Sequence, residues 1–393
     1  MKKELNNKDK IKEIKKDVKK YLKNPVKNKI KIVVPNDFKI SYLSNPMSIF
    51  FRKMILGILS KVPPMELKRK IFCAMGYDFR KDVCLPGYIN ISPYFPELIR
   101  LDEGVLVGGM AEVSPVTLQD SVLTIGKIHL KKRILISGGA IIYPGALIEE
   151  HTLIGMNAFV NTHIPKNSFV VKNNKILATW SIEQEEKYFG KSEKDPKFGK
   201  KIRKLTREFR KDKTMRTISF KNDGKRENAG CEWWRARPVT RIYYNGIFVE
   251  LALLCPWEFG RKLLFWFMGQ NLFGRNIKVG KRVLFDHIYG DMVSIGKNVI
   301  LEGSCMLDGH EYTIAETTFG RIIIEDDVII KKGGYIREGL TIGKGAIIEE
   351  GAFIMKDVGP GEIWAGAPAK LVGYVDKKKD AEYKKELEKI KSK

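Results

Sequence analysis

Displaced by 194 positions, this chain falls on itself. Ile136, Ile142, Ile148 and Ile154 land on Ile330, Ile336, Ile342 and Ile348, and Gly139, Gly145 and Phe159 land on Gly333, Gly339 and Phe353. Within each copy an aliphatic residue returns every six positions. That period is neither helical nor a simple strand alternation, and it is the mark of a parallel β-helix built from hexapeptides. In the second copy the rungs run VGKRVL, a four-residue slip, then YGDMVS, IGKNVI, LEGSCM and LDGHEY. After a stretch that breaks phase by one residue they resume as IEDDVI, IKKGGY, IREGLT, IGKGAI, IEEGAF and IMKDVG. An apolar residue opens each rung and small or turn-tolerant residues follow. The pattern predicts a short strand with its aliphatic side chain inside a narrow prism, and a tight corner after it. Three rungs close one coil of about 18 residues, and stacked coils share one aliphatic column. The first copy carries the same signal more faintly, from LKKRIL through ISGGAI, IYPGAL, IEEHTL and IGMNAF to VNTHIP.

The chain's net charge of +25 is unevenly placed. Residues 1–31, 187–226 and 376–393 carry +9, +11 and +3, so the repetitive regions are nearly neutral. Such stretches read as solvated tails and a solvated linker, or as attraction to an anionic membrane surface or an acidic partner. No aromatic-interleaved basic platform or nucleic-acid motif accompanies them, so nucleic acid is not an expected partner. The five cysteines are scattered and form no Cys-x-x-Cys pair, which excludes a zinc knuckle or disulfide framework from the expectations. The N-terminal residues lack an apolar run before a cleavage site, and Pro46–Pro63 and Ile242–Gly274 are interrupted by charge. A cytoplasmic protein is expected, with amphipathic segments able to lie at a membrane interface.

Two lead-ins mirror each other. Glu66–Gly76 (ELKRKIFCAMG) matches Glu258–Gly269 (EFGRKLLFWFMG) with one insertion. Their spacing predicts short amphipathic helices closed by glycine that cap the open end of each prism. Trp233, Trp234, Trp257, Trp266, Phe265 and Phe267 cluster before the second prism, as a packed cap, a membrane-facing ridge or a subunit contact.

The hexad rungs, with the run EIWAGAPAKLVG over Glu362–Gly373, resemble the hexapeptide-repeat acyltransferase superfamily and its coenzyme A-dependent acetyltransferases. The resemblance implies an all-β solenoid: two tandem left-handed parallel β-helices, each preceded by short amphipathic helices, with a basic linker and a C-terminal helix. The left hand comes from the resemblance alone, since parallel crossovers are otherwise right-handed. The boundaries expected are a basic tail at 1–31, a helical lead-in at 32–98 and a first, degenerate β-helix at 99–172. A basic linker at 173–230 and a helical, aromatic lead-in at 231–278 follow. A second, catalytic β-helix at 279–373 and a charged helix at 374–393 complete the chain.

One histidine in this superfamily acts as general base, taking a proton from an acceptor hydroxyl or amine that attacks the thioester of acetyl-CoA. His310 is the candidate here. It stands two residues after Asp308, in the rung where the hexad register breaks, and a loop leaving a rigid scaffold is a common place for function. Histidine alone titrates near neutrality without perturbation. Asp308, Glu311 and Glu302 are the carboxylates within sequence reach to orient it. Position 310 falls on Val116 in the first copy, which lacks the base. His129, His151, His163 and His287 do not share the five-residue spacing of the metal-binding pair in the γ-class carbonic anhydrases on this fold, and no metal is expected.

In the closing run, Ala365, Gly366, Ala367 and Ala369 let a ligand approach the backbone, Pro368 stiffens the turn, and Lys370 offers a cation to a coenzyme phosphate. The resemblance adds a pantetheine arm running along the prism, for which Gly334 and Ala352, one coil apart, are candidate lining residues. The first copy reads VKNNKI where the second reads AGAPAK. The expected function is transfer of an acetyl or other acyl group to a hydroxyl or amine acceptor, with sugars and glycans among the candidates, in a homo-oligomer of trimeric type. A non-catalytic scaffold and a membrane-associated enzyme acting on lipid-linked glycans are the alternatives.

Overall fold

The computed structural model describes residues 7–60, 66–85, 89–190, 197–221 and 237–382. Two compact units divide them, the first made mainly of residues up to 194 and the second mainly of residues from 195 onward.

In the second unit three parallel ladders form the faces of a prism. One stacks Lys278–Val279, Ile300–Leu301, Ile329–Ile330, Ile347–Ile348 and Glu362–Ala365, and Lys370–Tyr374 then turns back antiparallel. The second stacks Leu284–Phe285, Met306–Leu307, Tyr335–Ile336 and Phe353–Ile354, and the third Val293–Ile295, Ile322–Ile324 and Thr341–Ile342. In two-residue strands such as Ile329–Ile330 the first side chain looks out and the second in. Ile330, Ile336, Ile342, Ile348 and Ile354 are all fully buried in one column. Where the coils are regular, a residue pairs with the one three rungs later, as Ile330 does with Ile348. The step from Phe285 to Leu307 is longer than that by four residues, and the step from Leu307 to Ile336 by nearly two rungs. The four-residue slip is therefore a corner loop. The one-residue phase break is an inserted hairpin, which hexad counting registers as one residue short of two rungs. That hairpin pairs His310–Tyr312 with Glu316–Gly320, His310 opposite Phe319. Gly320 is required where the hairpin rejoins the prism, because a Cβ there would lie 2.2 Å from the backbone nitrogen of Gly339.

The first unit repeats these registers at the 194 offset. Leu135 pairs with Leu153 as Ile329 does with Ile347, and Val116 faces Ile125 in a hairpin as His310 faces Phe319. Its coils begin at Asp78–Phe79 and Asn90–Ile91, earlier than the boundary at 99, and Phe79, Leu85 and Ile91 already keep the six-residue spacing with buried side chains.

The basic tail is a structured element. Helix α1 (Asn7–Lys23) buries Ile14, Val18 and Tyr21 among its lysines, and Lys29–Val33 pairs antiparallel with Val122–Gly126. The abundance of lysine masks the three- and four-residue apolar spacing. Helices α2 (Pro46–Leu59) and α3 (Glu66–Ala74) lead into the first prism, and α4 (Ile182–Phe189) follows it behind a Ser181–Gln184 capping box. The linker also differs from expectation. Lys175–Thr179 extends a ladder of the first unit, and α5 (Phe198–Lys211) buries Ile202 and Phe209 in the second unit. The strand Thr217–Lys221 pairs with the His310 hairpin. Helices α6 (Val239–Leu254) and α7 (Glu258–Phe267) precede the second prism. Trp233 and Trp234 lie outside the described residues, as does the part beyond 382 of the segment expected to form a C-terminal helix.

The caps close the prisms with buried cations. Lys68 on α3 donates Nζ to the Leu85 carbonyl at 2.8 Å, and its burial lowers its pKa to about 7. Arg261, its counterpart on α7, donates to the Val279 carbonyl at 2.8 Å and to those of Cys255 and Pro256. Phe72 and Phe265 plug the column beside them. Each cation satisfies carbonyls at a coil end where no further strand can pair. The column carries the energy. Ile348→Ala, at a fully buried position, is expected to cost about 2–5 kcal/mol in urea unfolding of the chain, against less than about 0.5 kcal/mol for the exposed Lys344→Ala.

Candidate active site

The inserted hairpin brings His310 to a corner of the second prism, over two stacked aspartates. Ladder register places Asp286 directly below Asp308 on neighbouring coils, one step past the Phe285–Leu307 pair. The Asp286 carboxylate is fully buried and bonds Nδ1 of His310. Its other oxygen accepts the backbone N–H groups of Ile288 and Tyr289. Asp308 Oδ1 lies 3.0 Å from the same Nδ1, and its Oδ2 accepts the Tyr335 hydroxyl at 2.6 Å. Gly309 leaves room for the pair, since a Cβ there would come within 3.3 Å of Asp286 Oδ2. The imidazole packs 4.7 Å from the Tyr312 ring and 6.2 Å from Phe319, centroid to centroid. With Nδ1 held, Nε2 is the nitrogen left for chemistry. The side chain is 22% exposed.

Burial alone would depress the His310 pKa, but the Asp286 and then the Asp308 charges outweigh it and lift the imidazole to about 10. Burial likewise works to raise Asp286, and the adjacent imidazolium overrides it and holds that carboxyl below the usual carboxylate range. Asp308 is raised, by burial first and then by the Asp286 charge, against the pull of His310. Two carboxylates sharing one nitrogen do not ionise alike: Asp286 is the counter-ion and Asp308 the group that keeps its proton longer.

Sequence reasoning identifies His310 and Asp308 but misses Asp286, which lies in the four-residue slip, more than a full coil before the histidine. Stacking coils of unequal length is the missing step, because only the lengthened coil brings 286 under 308. Glu311 does not orient the histidine. Its carboxylate pairs with Arg337, which also bonds Glu338 at 2.8 Å, because alternation along the strand turns position 311 to the opposite side from 310. Glu302 accepts the backbone N–H of Lys332 at 2.9 Å, in another corner. At the 194 offset Asp286, Asp308, His310 and Tyr335 become Ser92, Ser114, Val116 and Ile141, so the first unit keeps the hairpin without the site.

A line of contacts leads from this corner to the closing turn. Tyr335 and Phe353 face outward on adjacent coils with ring centroids 4.9 Å apart. The Phe353 backbone bonds both ends of the turn, donating to Gly366 at 2.9 Å and accepting from Ala369 at 2.8 Å. Gly366, Ala367, Pro368 and Lys370 are exposed, Ala365 and Ala369 half-buried, and Gly366 has a φ of +94° that favours glycine. Gly334 and Ala352 do not line an outer groove. Ala352 is fully buried in the column, and a Cβ on Gly334 would sit 2.7 Å from Ile330 Cγ2. Spacing by one coil fixes their rung position but not which side of the wall they occupy.

Asp286, Asp308 and His310 also place three potential ligand atoms within 4.8 Å of one another.

No family model matches the chain. YvoF of Bacillus subtilis (strain 168), named as an acetyltransferase, is 26% identical over 135 residues, 34% of this chain and 78% of that protein. The 2,3,4,5-tetrahydropyridine-2,6-dicarboxylate N-acetyltransferase of Staphylococcus aureus (strain JH9) is 34% identical over 92 residues, 23% of this chain and 36% of its own length. Among solved structures, a hexapeptide-repeat acetyltransferase from Vibrio cholerae aligns at 21% identity and a TM-score of 0.29, covering 38% of this chain and 96% of that one. A galactoside acetyltransferase in complex with coenzyme A aligns at 22% identity and a TM-score of 0.27, covering 36% and 83%. By its repeats and its sequence relatives this chain is similar to the hexapeptide-repeat acetyltransferases.

The carboxylates favour the imidazolium, so the His310 ring should titrate well above the ordinary histidine value of about 6.5 in an NMR pH series. Asp286→Asn removes the counter-ion and should bring that titration down toward about 6.5. A midpoint that is ordinary in the wild type, or unmoved in the variant, would contradict this electrostatic picture.

Proposed function

We propose that the second unit transfers an acetyl group from acetyl-CoA to a hydroxyl or amine acceptor, with His310 as general base. The observation that carries the reading is the Asp286–His310 pair on an inserted hairpin, at a prism corner in line with the exposed Gly366–Lys370 turn. The first unit has the hairpin but not the pair, and its closing turn, in which Lys172 accepts from the Phe159 N–H as Gly366 does from Phe353, reads VKNNKI where the second reads AGAPAK. Acetyl-CoA supplies the activated thioester. His310 Nε2 takes the acceptor's proton as its oxygen or nitrogen attacks the carbonyl carbon, and returns that proton to the sulfur when the carbon–sulfur bond breaks. Asp286 orients the ring through Nδ1 and stabilises the imidazolium formed midway. Because the same charge keeps His310 protonated up to alkaline pH, only its neutral fraction acts as base, and turnover should rise with pH toward about 10. Tyr335 holds Asp308 in place behind it.

The small residues of the closing turn suit a ligand lying against backbone, and Lys370 suits a phosphate at its end. Aliphatic side chains fill the prism among the described residues, so donor and acceptor meet on an outer face. A second prism beside that face would supply the missing wall, which favours a homo-oligomer, trimeric by cyclic closure. Sugars and glycans are among the acceptor classes that the resemblance implies.

Alanine at 310 should reduce turnover of acetyl-CoA with a responsive acceptor by about 10²- to 10⁴-fold while coenzyme A affinity stays near that of the wild type. Retained turnover would remove the base assignment and leave the scaffold reading.

A further inference from the structure

The second unit shows a large apolar face that the transfer reaction does not use. We infer that the outer face of α6 and α7 docks this unit onto the surface of an anionic bilayer. On α6, Tyr244, Ile247, Leu251 and Leu254 recur at three- and four-residue steps, and Ile247 and Leu254 are 60% and 79% exposed. Trp257 follows at 73%, and on α7 Phe259, Leu263 and Trp266 continue the pattern, with Phe259 at 69% and Trp266 at 52%. The two helices form one ridge. The rings run from Tyr244 to Phe248 at 4.7 Å, Phe248 to Phe267 at 5.1 Å and Phe267 to Trp266 at 5.3 Å. Side chains of this size in water are a contact surface rather than scattered surface residues, and tryptophan is suited to the level of lipid headgroups.

Charge selects the occupant. Helix α5 packs into the same cluster as α6, through Phe209 and Ile242. Its outer side exposes Lys200, Lys201, Lys204, Arg207 and Lys211, and the helix carries the single acid Glu208. An apolar ridge on a unit that also exposes a cationic helix matches an anionic leaflet, where basic groups attract and aromatic groups insert. A second copy of this chain would instead bring the same cations together against their mutual repulsion. Among the described residues no helix is long and apolar enough to cross a membrane, so the contact is interfacial. The inference goes beyond acetyl transfer and stands whether or not that reading holds.

The test is flotation of the full chain with vesicles of phosphatidylcholine, alone or mixed with phosphatidylglycerol. The chain should float with the mixed vesicles, detach progressively as salt rises, and show a blue-shifted tryptophan emission when bound. The triple variant Leu254→Gln, Trp257→Gln, Trp266→Gln should lose about tenfold or more in partitioning while its unfolding midpoint stays at the wild-type value. The α5 variant Lys200→Glu, Lys204→Glu, Arg207→Glu should lose the preference for anionic lipid. Absence of flotation with either vesicle, equal flotation with both, or a triple variant that floats like the wild type would each overturn the inference. So would light scattering showing that the triple variant forms a smaller assembly while the wild type fails to float, because the ridge would then be a subunit interface.

Discussion

A prism filled by one aliphatic side chain per strand cannot slip. Moving a rung by one residue would turn an isoleucine outward and a lysine or glycine in, on every coil above it. Any extra residues must therefore leave at a corner and return at the same register. This constraint produces the four-residue loop that carries Asp286 and the longer hairpin that carries His310. Both exits lie at the same corner, so residues more than a coil apart in the chain meet as neighbours. The proposed site is held by the parts of the sequence that the repeat cannot absorb, and the repeat fixes their position.

The repeat itself is legible because a six-residue period has few structural explanations. The rung openings at Ile330, Ile336, Ile342 and Ile348 form one inward column. The histidine is legible because it stands where that period fails. Its true partner is hidden, since Asp286 becomes adjacent only when two lengthened coils are stacked in the right order. Glu311 is close in sequence, yet strand alternation sends it to Arg337 instead. Gly334 and Ala352 show the complementary error: coil spacing fixes their height on the prism but not whether they face the column or solvent. The basic segments mislead for a compositional reason. Lysine dominates α1 and α5 so strongly that Ile14, Val18, Ile202 and Phe209 read as incidental, although each is a buried anchor.

The two units form an internal comparison of scaffold against site. They share ladder register, hairpin position and capping cation, yet serines and a valine stand in the first where aspartates and a histidine stand in the second. The fold therefore does not require the Asp286–His310 pair, and its presence in one unit calls for a functional explanation. Buried ionic groups are costly to keep. Two carboxylates and an imidazole in a prism corner hold one ring and its charge at a fixed point of the fold.

The central claim is that donor binding belongs to the second unit alone. Calorimetric titration of the full chain with coenzyme A measures it directly, because it counts sites regardless of which acceptor is used. One site per chain, abolished when the Gly366–Lys370 turn is replaced by the first unit's Lys172–Ile176 sequence, is the predicted result. Two equivalent sites per chain, or a single site indifferent to that replacement, would contradict it.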